Sequence, residues 1–374
     1  MNRDASDRLR VAIVGCGWVA GAQMKAGFLL LPDKFEVVAT CDLDAGRARS
    51  FGDEHGIARF EANYETLLAD PAIDVVSICT PPSLHYRMVV DALTAGKHVI
   101  CEKPFTSSLQ LTDAIIAAEQ RSSARVMPIF QYRFENGFQR IRQLLDAGIA
   151  GNPYIASIET AWKRGPDYYS VPWRGRFATE LGGVLVTQSI HIHDLFLTLF
   201  GPVAHVKAFK TTRVNPIEVE DCAVASLRMD SGALASLTAT LGSQEPVTRI
   251  RLCFEKLTIE RQCFGPDAPK PGQEPWKVVP ADAETAAAIA ALPPYQPSPL
   301  TGFAAQFAAF HDALVAGTPF PVTLADARRS LELVSAIYHA AETDETVTMP
   351  IHAGHPRYEG WISELSRRPE SSAA

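Results

Sequence analysis

Leu9-Arg10-Val11-Ala12-Ile13-Val14-Gly15-Cys16-Gly17-Trp18-Val19-Ala20 is the stretch that decides the fold. Its first six residues form a nearly continuous apolar run, the pattern of a strand buried on both faces. Three small residues follow at the spacing GxGxxA, and residues 21–31 read as helix. Strand, glycine turn and helix in that order make the fingerprint of a dinucleotide site. Gly15 would permit the tight turn, and Ala20 would let the helix pack close to the strand. Gly17 would let backbone amides approach a pyrophosphate at the positive end of the helix. Trp18 and Val19 lie in the same turn and belong to the expected cofactor contact.

The next strand, over 35–41, ends in Asp42, near the spacing at which an acidic residue grips the adenosine ribose hydroxyls. An aspartate there repels a 2′-phosphate, so NAD is favoured over NADP, and Leu43 in place of a basic residue points the same way. The alternative is that Asp42 caps the helix opening at Ala45. One carboxylate cannot fill both roles equally well.

Strands and helices then alternate: helices over 45–55 and 64–69, a strand over 74–79, and a helix over 84–95 with Ser83 as its N-cap and Gly96 at its end. A strand over 98–101, a helix over 108–121 and a strand over 125–130 follow. Such alternation means a parallel, doubly wound sheet with right-handed crossovers. Thr80, Pro81 and His85 would lie at its carboxyl edge, beside the nicotinamide end of a dinucleotide; His85 could equally be a helix-surface histidine. The strand at 98–101 delivers Glu102 and Lys103 to the same edge, where Pro104 stops the ladder. Ligands of open α/β sheets bind outside the carboxyl ends of the strands. Lys103 is therefore either a residue for chemistry or an ordinary solvated lysine at a strand end.

Bulk properties narrow the class. The chain has 374 residues, enough for two domains, with 47% hydrophobic and 21% charged residues as in soluble globular proteins. A net charge of −7 favours neither nucleic acid nor an anionic membrane surface. No apolar run reaches a membrane span, and the first eight residues lack the apolar centre of a signal peptide. Seven cysteines, among them Cys16, Cys41, Cys79, Cys101 and Cys253 in apolar strands, contain no CxxC pair. Buried reduced thiols of a cytoplasmic enzyme fit that pattern better than a disulfide framework or a zinc site.

After residue 130 the pattern changes. A helix over 135–147 and a strand over 154–162 lead into a polar, aromatic loop at 163–175, suited to a lid over a polyhydroxylated ligand or to a plain surface crossover. Residues 182–197, Gly182-Gly183-Val184-Leu185-Val186-Thr187-Gln188-Ser189-Ile190-His191-Ile192-His193-Asp194-Leu195-Phe196-Leu197, are apolar nearly all round and read as one buried helix. On such a helix Thr187, His191 and Asp194 share a face, flanked by Gln188, while His193 points elsewhere. His191-Ile192-His193-Asp194 is not a metal site, because a helix does not present HxH together and nothing completes the set. Strands over 204–212, 220–229, 233–241, 249–254 and 257–262 follow, with a hairpin at Asp230-Ser231-Gly232. Connections over 264–275 and 292–299 and helices over 301–316 and 324–341 close the chain. The exposed face of so large a sheet needs covering, as in a homodimer or homotetramer.

With Gly15-Cys16-Gly17-Trp18-Val19-Ala20, Thr80-Pro81-Pro82 with His85, and Glu102-Lys103-Pro104 in this order, the chain resembles the Gfo/Idh/MocA family over residues 9–350. These are relatives of glucose-fructose oxidoreductase and inositol dehydrogenase. The resemblance implies an α/β protein with an N-terminal NAD(P)-binding Rossmann domain over residues 1–130. A C-terminal α/β domain over 131–374 would carry a large open mixed, mainly antiparallel sheet, its terminal helices free to pack back on the Rossmann domain. It implies hydride transfer between NAD(P) and a secondary hydroxyl or ketone of a sugar, cyclitol or related polyol. It also implies Asp-x-x-x-His facing the lysine; here the histidine position is His191 and the aspartate position is Thr187, which carries no charge. Some relatives share Trp-Arg-Gly, here Trp173-Arg174-Gly175, and a cis bond after the lysine.

The expected mechanism places nicotinamide over the Pro81/Glu102 edge. His191 would accept the hydroxyl proton, and Lys103 would hydrogen-bond the same oxygen and stabilise its developing charge. Which of the two is the formal base stays open, since their titrations couple. Arg133, Arg164, Tyr168, Trp173, Arg174, Thr187 and Gln188 complete the expected substrate contacts. Two alternatives remain: an NAD-using glycoside-cleaving or imine-reducing enzyme on the same fold, and a non-catalytic dinucleotide sensor.

Overall fold

The structure is a computed structural model describing residues 8–265 and 270–361. Its backbone forms two compact units. The first runs to Gln131 and includes Leu300–Arg328; the second comprises Tyr132–Pro299 and the chain from Arg329 onward.

In the first unit, β1 (Leu9–Val14), α1 (Trp18–Ala26), β2 (Phe35–Cys41), α2 (Ala45–His55), β3 (Phe60–Glu61), α3 (Tyr64–Ala69) and β4 (Val75–Ile78) come first. Then follow α4 (His85–Thr94), β5 (His98–Cys101), α5 (Leu109–Gln120) and β6 (Val126–Pro128). All six strands are parallel, in the order β3-β2-β1-β4-β5-β6. This is the expected doubly wound sheet. The order reverses beside β1, so the carboxyl ends of β1, β4 and β5 border the crevice in which such sheets bind ligands. Residues 11–14, 75–78 and 99–101 are buried, as strands covered on both faces must be.

Three local expectations need correcting. α1 begins at Trp18, inside the glycine turn, and stops at Ala26, where Gly27 leaves helical geometry (φ −134°, ψ −91°) beside the Phe307 ring; a Cβ there would lie 2.7 Å from that ring. Ser83 does not cap α4, since Pro82–Leu84 is a 3-10 turn running straight into the helix. Ser108 does cap α5, its Oγ accepting the Leu111 N–H at 3.1 Å. The helix Gly302–Ala316 belongs to this unit. It stacks Phe307 on Phe28 at 4.5 Å, and the Gln306 amide bonds Phe130 N and Pro128 O just past β6.

In the second unit, α6 (Asn136–Asp146) and β7 (Pro153–Lys163) precede four short-loop helices: α7 (Pro166–Tyr169), α8 (Phe177–Glu180), α9 (Val184–Thr187) and α10 (Ile190–Phe200). β8 (Val203–Thr211), β9 (Cys222–Met229), β10 (Leu234–Thr240), β11 (Gly242–Phe254), β12 (Leu257–Phe264), β13 (Lys277–Pro280), α11 (Ala283–Ala290) and β14 (Val347–Thr348) complete it, with the helix Leu324–Thr343 spanning the boundary between units. The strands form one eight-stranded sheet, β13-β12-β11-β7-β10-β9-β8-β14. β7 and β10 pair in parallel and every other pair is antiparallel, the mixed, mainly antiparallel sheet expected. Burial alternates along β9, with Ala223, Ala225 and Leu227 inside and Val224, Ser226 and Arg228 outside. The hairpin at Asp230-Ser231-Gly232 is present, with Gly232 at φ +86°.

Residues 182–197 are not one helix. α9 and α10 are separated at Gln188-Ser189, and the segments before and after the break diverge by 47°. Gly183 presses against the Glu220 backbone so closely that a Cβ would lie 1.7 Å from Glu220 O, which sets where α9 begins. The Ser189 N–H then reaches back to Val184 O, a five-residue span that ends the regular ladder. The predicted i,i+4 alignment of Thr187 with His191 therefore does not apply; the i,i+3 relation of His191 and Asp194 within α10 does. No single helix among the described residues is long and apolar enough to cross a membrane.

Candidate active site

The first unit builds its site at the carboxyl edge of the parallel sheet. Gly15 sits at φ +89°, and a Cβ there would lie 2.8 Å from the Cys79 carbonyl carbon and the Thr80 nitrogen. Only glycine serves, because both the backbone angle and the close approach to the end of β4 exclude a side chain. Gly17 is exposed and opens α1, and a Cβ there would meet nothing within 4 Å. The helix N-terminus thus faces open space, and Trp18 beside it is 86% exposed. Val19 is half-buried and Ala20 fully buried.

Asp42 does not cap α2. Asp44 does, accepting the Arg47 N–H at 3.1 Å. The Asp42 carboxylate turns back to the glycine turn instead, accepting the Cys16 N–H at 3.0 Å through Oδ2 and the Asp44 N–H at 3.0 Å through Oδ1. Each oxygen keeps a lone pair for a further donor. Arg47 approaches the same carboxylate at 3.6 Å.

At the ends of β4 and β5, Thr80, Pro81 and Lys103 are half-buried and Glu102 is buried. The Lys103–Pro104 bond is cis. His85 is no surface residue: its ring is fully buried, with Nε2 2.9 Å from Thr80 O and Nδ1 2.9 Å from Pro104 O. A neutral imidazole donates to only one of these carbonyls at a time, and burial pushes its pKa down. It therefore ties the loop after β4 to the loop after β5 and reaches the sheet edge through their backbones. Burial also pushes the Glu102 carboxyl up, against the Lys103 charge and a hydrogen bond from Gln23.

The second unit carries two groups. On α10, His191 is buried, its ring 4.7 Å from that of Tyr132. Next to Tyr132, Arg133 is locked to Asp194 by paired bonds, Nε to Oδ2 at 2.8 Å and Nη2 to Oδ1 at 2.5 Å. Arg133 was expected to meet substrate. In the structure its buried guanidinium pairs with the buried Asp194 carboxylate and offsets that charge.

Residues of the 163–175 loop, with Thr187 and Gln188, form the second group. The Tyr168 hydroxyl accepts from Gln188 Nε2 at 2.9 Å and from Arg174 Nη1, and the Arg174 guanidinium lies 3.9 Å over its ring. Arg174 also covers Trp173 at 4.3 Å and pairs with buried Glu180 at 3.0 Å. Arg164 flanks Tyr168 at 5.2 Å. The Thr187 hydroxyl reaches Gln188 Oε1 and Gly183 O. Burial raises the Tyr168 phenol, and Arg174 opposes that. Arg164, Tyr168, Trp173, Arg174, Thr187 and Gln188 are thus one cluster.

Glu220, which the sequence reading passed over, anchors it. Its buried carboxylate accepts Gly183 N–H at 3.1 and 3.0 Å, Leu185 N–H at 3.0 Å and the Tyr338 hydroxyl, so it holds the first turn of α9. The adjacent Gly182-Gly183 pair was the available signal. All seven cysteines are free thiols, with Cys222 and Cys253 only half-buried. Burial lifts Cys16 to about 12 and Cys41 to about 11.

Comparison with known proteins identifies the family and the fold. Residues 9–130 match the family model for the Gfo/Idh/MocA "Oxidoreductase family, NAD-binding Rossmann fold", and residues 138–260 match that for the "GFO/IDH/MocA C-terminal domain". The chain is 32% identical over 205 residues to the uncharacterized oxidoreductase YrbE of Bacillus subtilis, covering 54% of this chain and 58% of that protein. It is 30% identical over 239 residues to the D-apiose dehydrogenase of Paraburkholderia graminis, covering 64% and 62%. The similarity thus spans about three fifths of the length of these curated relatives. In fold it resembles the WlbA dehydrogenase of Bordetella pertussis, solved in complex with NADH and UDP-GlcNAcA. The TM-score is 0.79 with 24% identity, over 92% of this chain and all of that one.

Proposed function

The chain belongs to the Gfo/Idh/MocA family, and from that premise we propose that it is an NAD-dependent dehydrogenase. It would transfer a hydride between nicotinamide and a secondary hydroxyl or ketone of a sugar, cyclitol or related polyol. One observation carries the reading: an open helix N-terminus at Gly17, with the Asp42 carboxylate bonded into the same turn, lies on the sheet edge that also presents Lys103.

The residues fit the cofactor. Gly15, Gly17, Trp18, Val19 and Ala20 would hold the pyrophosphate through backbone amides, and Asp42 the adenosine ribose. Thr80, Pro81, Glu102 and Lys103 would line the nicotinamide end, with His85 fixing the two loops that carry them. NAD, when bound, supplies the hydride acceptor. Lys103 donates a hydrogen bond to the reacting oxygen and stabilises the charge that develops there. His191 takes the hydroxyl proton at a ring nitrogen. The Tyr168–Gln188–Arg174 cluster, with Trp173, Arg164 and Thr187, offers stacking faces and hydroxyl partners of the kind sugars need.

We extend the proposal to a homodimer or homotetramer built on the open sheet. Its outward face sets Ile155 beside Leu234 and Val224 beside Phe209, four exposed apolar side chains on neighbouring strands. A cytoplasmic location is supported by seven unpaired thiols. The test of the activity is NADH absorbance on mixing the protein with NAD and a panel of aldoses, inositols, glycosides and sugar acids. NADH formation with at least one of them supports the reading; NADH binding without turnover of any would make the protein a sensor.

A further inference from the structure

Gln23 is a fully buried polar residue on α1, the helix that the glycine turn opens. Its Oε1 accepts the Ser77 hydroxyl at 2.7 Å, and its Nε2 donates to Glu102 Oε1 at 2.9 Å. Glu102 Oε2 in turn accepts the Lys103 backbone N–H at 3.2 Å. Ser77 lies on β4 and is fully buried, while Glu102 directly follows β5. One hydrogen-bonded chain therefore joins α1, β4 and the end of β5.

The direction of this chain is fixed by its ends. A carboxylate only accepts, so the amide nitrogen faces Glu102; the amide oxygen must then face Ser77, whose hydroxyl donates. Nothing about packing asks for this arrangement, since a methionine would fill similar space at no desolvation cost. The titratable groups facing Glu102 are Lys103, Cys79 and Cys101. Burial holds both thiols well above their usual range, so they stay neutral, and Lys103 is the charge that Glu102 faces among the three.

We propose that Gln23, locked by Ser77, is the positioning residue that keeps Glu102 an ionised acceptor beside Lys103. Its effect on turnover rests on the dehydrogenase reading above; its effect on Glu102 does not. Without the amide donor, Glu102 takes up a proton at higher pH. Below that pH Lys103 loses a negative neighbour, so the acid limb of kcat moves to higher pH as well.

The experiment is an infrared pH titration of the protonated-carboxyl band in the wild type and Gln23→Met, with Glu102→Gln to assign the band, alongside NADH titration and the pH profile of kcat. In Gln23→Met the Glu102 band should titrate about one to two pH units higher, the value of a hydrogen bond to a charged group. NADH affinity should stay within about twofold. An unshifted band overturns the proposal, as does lost NADH affinity with an unshifted band, which marks a purely structural residue. If Gln23→Met does not fold, Ser77→Ala, which frees the amide to turn, should raise the band by a smaller amount, and no shift overturns the proposal. If the wild type turns over no substrate, the dehydrogenase reading fails while the infrared titration still decides the role of Gln23.

Discussion

Replacing Gly17 with alanine separates the ligand geometry of the turn from its folding. Gly17 has φ −93° and ψ −170°, a conformation open to any residue, and a new Cβ meets nothing within 4 Å. The fold should scarcely notice. Alanine is a poorer N-cap than glycine by up to about 1 kcal/mol, and the stiffer unfolded chain returns about 0.4–1 kcal/mol. Net stability should therefore stay within about 1 kcal/mol. A bound pyrophosphate, however, would have to occupy the space taken by the new methyl group. Overfilling a close contact costs about 1–3 kcal/mol, or about 5- to 150-fold in Kd. Calorimetric titration with NADH, paired with urea unfolding, reads both quantities. A stable Gly17→Ala that binds NADH as tightly as the wild type would refute the assignment of this turn to the pyrophosphate.

The neighbouring glycine behaves oppositely. Gly15→Ala meets a positive φ and backbone atoms at 2.8 Å, so it should lose about 2–4 kcal/mol in denaturant unfolding; a loss under 1 kcal/mol contradicts the close approach. Arg133→Met removes the paired bonds to buried Asp194 and should cost about 3–5 kcal/mol, with most of it recovered in Arg133→Met/Asp194→Leu. An unrecovered loss would mean that Arg133 acts elsewhere. Among the described residues, neither ring nitrogen of fully buried His193 has a hydrogen-bond partner, and desolvation depresses its pKa to about 3. A depressed base contributes stability above its unfolded pKa that is lost as pH falls from about 6.5 toward 3, at about 1.4 kcal/mol per unit. From pH 7.5 to 5.0, His193→Leu should gain about 2 kcal/mol relative to the wild type; equal losses in both proteins would show that His193 is hydrated.

Much of the first unit was legible because its signals are local. The apolar run at Leu9–Val14, the glycine spacing and the acid at Asp42 all follow from a few consecutive residues. Even the cap was within reach, since Asp44 stands directly before α2. What escaped depends on residues far apart in sequence. Arg133 looks like a free cation until Asp194, sixty-one residues later, is folded against it. The choice between an edge and a helix-surface place for His85 stays open until Thr80 and Pro104 enclose it. The start of α9 is held by Glu220, which no helical periodicity between 182 and 197 could reveal. The two-residue strands β3 and β14 are strands only by virtue of their neighbours β2 and β8.

The central claim is that Lys103 stabilises charge on a reacting oxygen in an NAD-dependent dehydrogenase. The direct measurement is single-turnover NADH formation by Lys103→Met, compared with the wild type on whichever polyol the panel identifies. The account predicts a fall of about a hundredfold or more in the hydride-transfer rate with NADH affinity preserved. Wild-type rates in Lys103→Met would contradict it.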